Sequence, residues 1–173
     1  DSKQSRGLGD VYKRQTIIMT KIFSISLIFI FSFLHASERN IVDSISENER
    51  LQKLNEFVIA SELSNNLLNY ENLTLFAPLD DAFAALSAKT YYGYLKEKNK
   101  DQLQSLINFH FVEGEFTTEN VEDSINTKSI NGLDLEIKKI NGILYVNGAE
   151  VVESNIKFSK GVIHLTNRVL IPK

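Results

Sequence analysis

Apolar residues recur at helical spacing through the first half of the chain and at strand spacing through the second, changing over near Phe111. Asn40 stands where it can cap a short helix with Ile41, Val42 and Ile45 on one face. Leu51, Leu54, Phe57 and Val58 keep that spacing and predict a second helix from about Glu49. A third short helix is predicted over Ser61 to Leu68. Leu73 to Ala77 is a brief apolar run ending at Pro78, the pattern of a buried strand. Asp80 then precedes a segment carrying Phe83 and Leu86, where it can cap a helix, with Asp81 well placed for the dipole. Asp101 opens another helix, with Leu103, Leu106 and Ile107 inward. The predicted core includes Phe76, Phe83, Leu106, Ile163 and Leu165.

The second half is punctuated by Asn131-Gly132, Asn141-Gly142 and Asn147-Gly148. Asn-Gly tolerates the positive φ that tight hairpin turns demand. The apolar segments between and after these pairs are Leu133 to Ile140, Ile143 to Val146, Ala149 to Val152, Val162 to Leu165 and Val169 to Ile171. A helical half followed by antiparallel strands places the chain in the α+β class.

Composition adds limits. The 173 residues are 43% hydrophobic and 24% charged, which fits one ordinary globular domain. With no cysteine, disulfides, thiolate metal sites and a cysteine nucleophile are excluded, so the core alone must hold the domain together. Residues 1–18 carry mixed charges and no apolar period, and resemble translated adapter sequence upstream of a gene. Met19 is the better start. Lys21 and the 13-residue apolar run from Ile22 to Leu34 read as a signal peptide over residues 19–36, leaving a domain over residues 37–173. Ala36 suits the position before the cut, whereas Leu34 is larger than ideal two places earlier. The alternative is an uncleaved anchor, for which the run is short against the ~20 residues of a span.

That reading changes the charge. The full chain has 19 Lys and Arg against 22 Asp and Glu. Removing the leader takes Lys3, Arg6, Lys13, Arg14, Lys21, Asp1 and Asp10, leaving 14 against 20, a net charge of −6. Such a surface repels nucleic acid and anionic lipid, and no basic stripe remains.

Candidate chemistry is sparse. His110 and His164 are the two histidines beyond the leader, and a zinc site needs more nitrogen or sulfur donors than they provide. Both read as hydrogen-bonded structural groups, and neither a metal nor another cofactor is expected. Asp80 and Asp81 read as capping residues rather than an acid–base pair, and Glu113 and Glu115 as solvated turn residues. There is no nucleophile elbow, phosphate loop or dinucleotide fingerprint, so no enzyme is indicated. Tyr91, Tyr92 and Tyr94 cannot all face inward on one helix, so at least one is expected at the surface as a contact residue.

Four segments carry a resemblance. Leu73 to Leu86, LTLFAPLDDAFAAL, is similar to the first signature of the fasciclin domain family. Gly161 to Pro172, GVIHLTNRVLIP, resembles the second. LINFHFVEGEFT and VNGAEVVESNI between them resemble the family's Tyr-His segment and the hairpin before its last strands. The order is the family's, and together they span about Asn40 to Lys173. The resemblance implies a fasciclin-like wedge, its helical first half packed on two antiparallel β-sheets. It also implies a secreted or periplasmic, noncatalytic adhesion module whose partner is an extracellular protein, matrix or polysaccharide. Some fasciclin-like proteins bind a carotenoid or other apolar ligand, so the alternative is a carrier of a small apolar molecule or lipid. In some animal relatives the Tyr-His segment is implicated in receptor binding. Here it is Phe109-His110, so these two join the contact candidates, although the lost hydroxyl points the ring to the core.

Overall fold

The computed structural model describes residues 39–172 of the protein. The readings of residues 1–18 and of the leader at 19–36 lie outside that range.

The first half is helical, as its periodicity predicts. Helix α1 (Ile41–Ser46) is capped by Asn40, whose side chain accepts from the Asp43 N–H at 3.0 Å. Helix α2 (Gln52–Ser61) buries Leu54, Phe57 and Val58. It stops at Glu62, which takes a left-handed φ of 59°. That break shortens the expected third helix to α3 (Ser64–Leu67). Strand β1 (Leu73–Pro78) is buried at every position.

Asp80 does not cap its own segment. A 3₁₀ turn, Asp80–Ala85, follows β1 with no side-chain cap. The Asp80 carboxylate instead accepts from the Lys53 N–H at 2.8 Å, in the first turn of α2, where Leu51 at the N-cap position offers no acceptor. Helix α4 (Ala88–Tyr94) is capped by Ser87, and α5 (Lys100–Asn108) buries Leu103, Leu106 and Ile107.

The second half supplies β2 (Phe111–Glu113), β3 (Ser124–Lys128), β4 (Asp134–Ile140), β5 (Ile143–Val146), β6 (Ala149–Phe158) and β7 (Gly161–Thr166). Asn141-Gly142 and Asn147-Gly148 form the two-residue turns of the β4–β5 and β5–β6 hairpins, with φ of 52° and 84°, and 46° and 76°. In the Asn131-Gly132 pair only the glycine has positive φ. The Asn131 side chain donates to the Ser105 carbonyl at 3.0 Å and ties that turn to α5.

The α+β class stands, but the expected pair of antiparallel sheets is one mixed sheet of order β2-β1-β7-β6-β5-β4-β3. Beside β1, β7 runs parallel. The two expected sheets are the two ends of this ladder, joined through β6. Ala149 and Glu150 pair with β5, while Val151 to Phe158 pair with β7 across two register shifts. At the second shift Asn155 has a left-handed φ of 62°, the signature of a bulge that turns a strand. The sheet then curls until its two ends meet: Val112 of β2 bridges to Ser129, and the Ile130 N–H donates to the Phe111 carbonyl at 2.9 Å.

Two cores result. Leu73, Leu75, Ala77, Phe111, Ile163 and Leu165 face the helices and pack with Phe57, Phe83 and Leu106. Phe76, Val112, Leu135, Ile137, Val146 and Val151 fill the concave side with Phe109 and Leu170. With both faces covered, β1 and β7 are buried at every position rather than at alternate ones. All five predicted core residues are buried. The apolar segment Val169 to Ile171 is not a strand. It follows β7 as irregular chain, because the Leu170 N–H bonds to a side chain instead of a ladder.

Candidate functional site

The three tyrosines of α4 separate as one helix requires. Tyr92 projects with 64% of its surface exposed. Tyr91 and Tyr94 are half-buried, their rings 4.9 and 6.1 Å from that of Phe57 on α2. The Tyr91 hydroxyl donates to Glu56 Oε2 at 2.5 Å, and its ring meets Tyr92 edge-on at 5.3 Å. Burial, then the bond and charge of Glu56, raise the Tyr91 pKa, so the phenol stays protonated. The result is one exposed ring braced by a fixed one, in reach of a carboxylate.

Phe109 and His110 are buried, at 3% and 1% exposure. The His110 ring is wired at both nitrogens. Nδ1–H donates to the Leu106 carbonyl at 2.8 Å, and Nε2 accepts the Leu170 N–H at 2.9 Å. A backbone N–H can only donate, so Nε2 carries no proton and the ring is neutral. Its backbone is committed as well, through N–H to the Ile107 carbonyl and C=O to the Phe76 N–H. Burial lowers the pKa to about 4.

His164, in β7, is wired the other way round. Nε2–H donates to the Phe116 carbonyl at 2.6 Å, and Nδ1 accepts the Asn155 N–H at 3.4 Å. Its ring stacks on Phe76 at 5.5 Å, and burial lowers its pKa too. His164 belongs to a set of polar groups holding the loop after β2. Thr74 Oγ1 donates to the Gly114 carbonyl and accepts from the Phe116 N–H. Asn155 bonds both the N–H and the hydroxyl of Thr118, and Lys157 pairs with Glu115. Among the described residues no three His, Cys, Asp or Glu side chains gather as a metal site, and no helix is long and apolar enough to cross a membrane.

Sequence reasoning passed over a groove of about 630 Å³ on the concave side. Phe109, Leu133, Ala149 and Leu170 supply apolar surface, and Glu136 and Arg168 polar rim. Glu136 is paired with Lys138 at 2.7 Å, and Arg168 donates to the Gly148 carbonyl at 3.0 Å. These residues come from β4 and the turn before it, β6, the end of α5 and the chain after β7, so no local motif announces them. Phe109 is the one contact candidate that reaches it.

The Fasciclin domain family model matches residues 49–172. The chain is 35% identical to Protein sll1483 of Synechocystis over 136 residues, 79% of this chain and 75% of that one. It is 29% identical to the fasciclin-like arabinogalactan protein CTB11 of Cercospora beticola, covering 90% of this chain and 42% of that protein. It is 27% identical to human periostin, covering 79% of this chain and 16% of that one. Among solved structures, a fasciclin domain pair from the insect cell adhesion molecule Fasciclin I superposes with a TM-score of 0.69 at 13% identity, over 78% of this chain and 51% of that one. Fasciclin domains are as a class noncatalytic adhesion and interaction modules. The family match over residues 49–172, on a fold that places both signature segments side by side as β1 and β7, shows that this chain belongs to the fasciclin domain family.

Proposed function

We propose that the protein is a secreted, noncatalytic interaction module that binds a surface protein, matrix or polysaccharide through the tyrosine face of α4. The observation that carries this is Tyr92, an aromatic ring 64% exposed on a braced aromatic base. Tyrosine is enriched in binding surfaces because it offers a large, stiff, amphipathic contact at small entropic cost. Tyr91 meets it edge-on and positions it, Tyr94 packs behind on Phe57, and Phe109 and His110, buried elsewhere in the fold, take no part in this face. In this reading residues 19–36 are a leader removed on export and residues 37–173 the working domain. Intact mass of the exported protein is expected to begin near Ser37. Full-length chain recovered in the membrane would reject that part.

The surface itself is tested by pairing melting curves with capture on panels of matrix proteins and insoluble polysaccharides. Tyr92→Ala is expected to keep its melting temperature and lose capture, since exposed side chains contribute little to folding. The tyrosine face is wrong if Tyr91→Ala, Tyr92→Ala and Tyr94→Ala all keep full capture, or if all three unfold the domain.

A second reading, a carrier of a small apolar molecule such as a carotenoid or lipid, has one observation in its favour. The groove's volume of about 630 Å³ falls in the usual ligand-site range of roughly 300–1,000 Å³. Solvent extraction of the natively purified protein, read by absorbance and mass spectrometry, tests it. A stoichiometric apolar compound would support the carrier, and extracts equal to the buffer blank would remove it.

A further inference from the structure

Two signature pieces identified in the sequence, the Phe-His pair and the closing Val-Leu-Ile-Pro run, have no role in the proposed contact face. They meet in the fold. Leu170 hydrogen-bonds to His110 across 60 positions of chain.

The hydrogen bonds of the chain after β7 are concentrated at its root, and beyond it the chain is held mainly by the packing of Leu170 and Val169. The Asn167 N–H donates to the Glu150 carbonyl, and the Glu150 N–H donates back to Asn167 Oδ1, both at 3.0 Å. The Thr166 hydroxyl donates to the Arg168 carbonyl at 2.9 Å, and the Arg168 guanidinium reaches the Gly148 carbonyl. Beyond Arg168 one hydrogen bond remains among the described residues, from the Leu170 N–H to His110 Nε2. Val169, Leu170 and Ile171 nevertheless line the groove. Leu170 is buried, Val169 half-buried, and Ile171 45% exposed.

We infer that residues 169–172 form an acid-released strap, part of the groove's wall, latched by neutral His110 and hinged at Asn167 and Arg168. Protonation puts a hydrogen on Nε2, which then points at the Leu170 N–H, donor against donor. Nδ1–H is already committed to Leu106, so the ring cannot exchange roles. A buried cation and an unsatisfied N–H are both costly. Letting the strap go relieves both, because water then reaches the imidazolium and the freed amide. The ladders of β1 and β7 are untouched. The charged groups on the surrounding elements are Lys100 and Asp101 at the start of α5, Glu113 at the end of β2, Arg168 at the hinge, and Asp134 and Glu136 across the groove. None of them shifts His110, which is governed by burial against the Leu106 bond. The latch is therefore shut at neutral pH and opens as acid protonates His110.

The test is NMR on ¹⁵N-labelled protein from pH 7 to 3.5. Imidazole ¹⁵N shifts report the protonation of His110, and amide exchange reports the strap. Leu170 protection is expected to fall at least tenfold as His110 takes its proton, while Leu75 in β1 and Ile163 in β7 keep theirs. In His110→Gln, whose amide oxygen accepts but does not titrate, the step should vanish. The inference is overturned if Leu170 stays protected after His110 is protonated, or loses protection only together with Leu75 and Ile163. Both outcomes are read on the wild-type protein, so the decision does not depend on the variant folding.

Discussion

At the scale of single residues, His110 and Gly161 show how much a signature position can carry. Folding lowers the His110 pKa to about 4 from its ordinary 6.5, so between those values the unfolded chain binds the proton and the folded one does not. Its contribution is therefore fully present above pH 6.5 and lost as pH falls toward 4. From pH 7.5 to pH 5 the shift predicts a loss of about 2 kcal/mol in unfolding free energy, measured by urea titration at each pH. His110→Gln should remove this share of the slope and leave that of His164, whose pKa burial also lowers, and an unchanged slope in the variant would refute the assignment. Gly161 opens β7 at φ 154° against β1. A Cβ there would lie 1.9 Å from the Leu73 carbonyl oxygen, a backbone atom that cannot move without breaking the parallel pairing. Gly161→Ala is expected to cost more than about 3 kcal/mol in the same titration, well above an ordinary substitution. A near-neutral result would mean that β1 and β7 can separate more easily than their pairing implies.

Among the elements, α2 depends on a residue outside itself. Leu51 occupies its N-cap position and has no side-chain acceptor, so Asp80 supplies the bond from beyond β1. Lys53 returns a second contact through Nζ to the Asp80 carbonyl at 3.0 Å. Asp80→Ala should therefore destabilise the domain by about 1–2 kcal/mol, the usual worth of a cap, whereas exposed Asp81→Ala should stay within about 0.5 kcal/mol. Equal effects from the two would remove the cross-chain cap. The same element scale explains what the sequence left unread. Strand β3 buries no residue, so it has no apolar alternation to detect. Strand β6 runs on to Phe158 rather than stopping at Val152, because Glu153, Ser154 and Asn155 sit at the bulge, where pairing shifts instead of alternating.

Over the whole molecule, the layer of β1, β2 and β7 is shared by two cores, one against the helices and one inside the curl of the sheet. A disturbance on either side should reach the other through that layer. Phe57→Ala, in the helical core, and Phe76→Ala, in the concave one, are each expected to cost about 3–5 kcal/mol. Both should leave a single transition, coincident by far-UV circular dichroism and by tyrosine fluorescence, which is unobscured because the chain has no tryptophan. Two separated transitions in either variant would show that the cores fold independently.

The sequence by itself determined the helical half, the buried strand at Leu73, the two Asn-Gly hairpins and the core, because each rests on local periodicity or turn chemistry. Through its signature segments it also pointed to the family. It determined that three adjacent tyrosines could not all be buried. Only the tertiary structure decided that Tyr92 is the exposed one, since that depends on where Phe57 and Glu56 of another helix lie. It decided that two expected sheets are one, because a bulge at Asn155 and a bridge from Val112 to Ser129 are long-range events without a local pattern. And it decided that Val169 to Ile171, apolar enough for a strand, is irregular chain instead, because the partner of the Leu170 N–H is a histidine ring 60 residues away rather than a neighbouring strand.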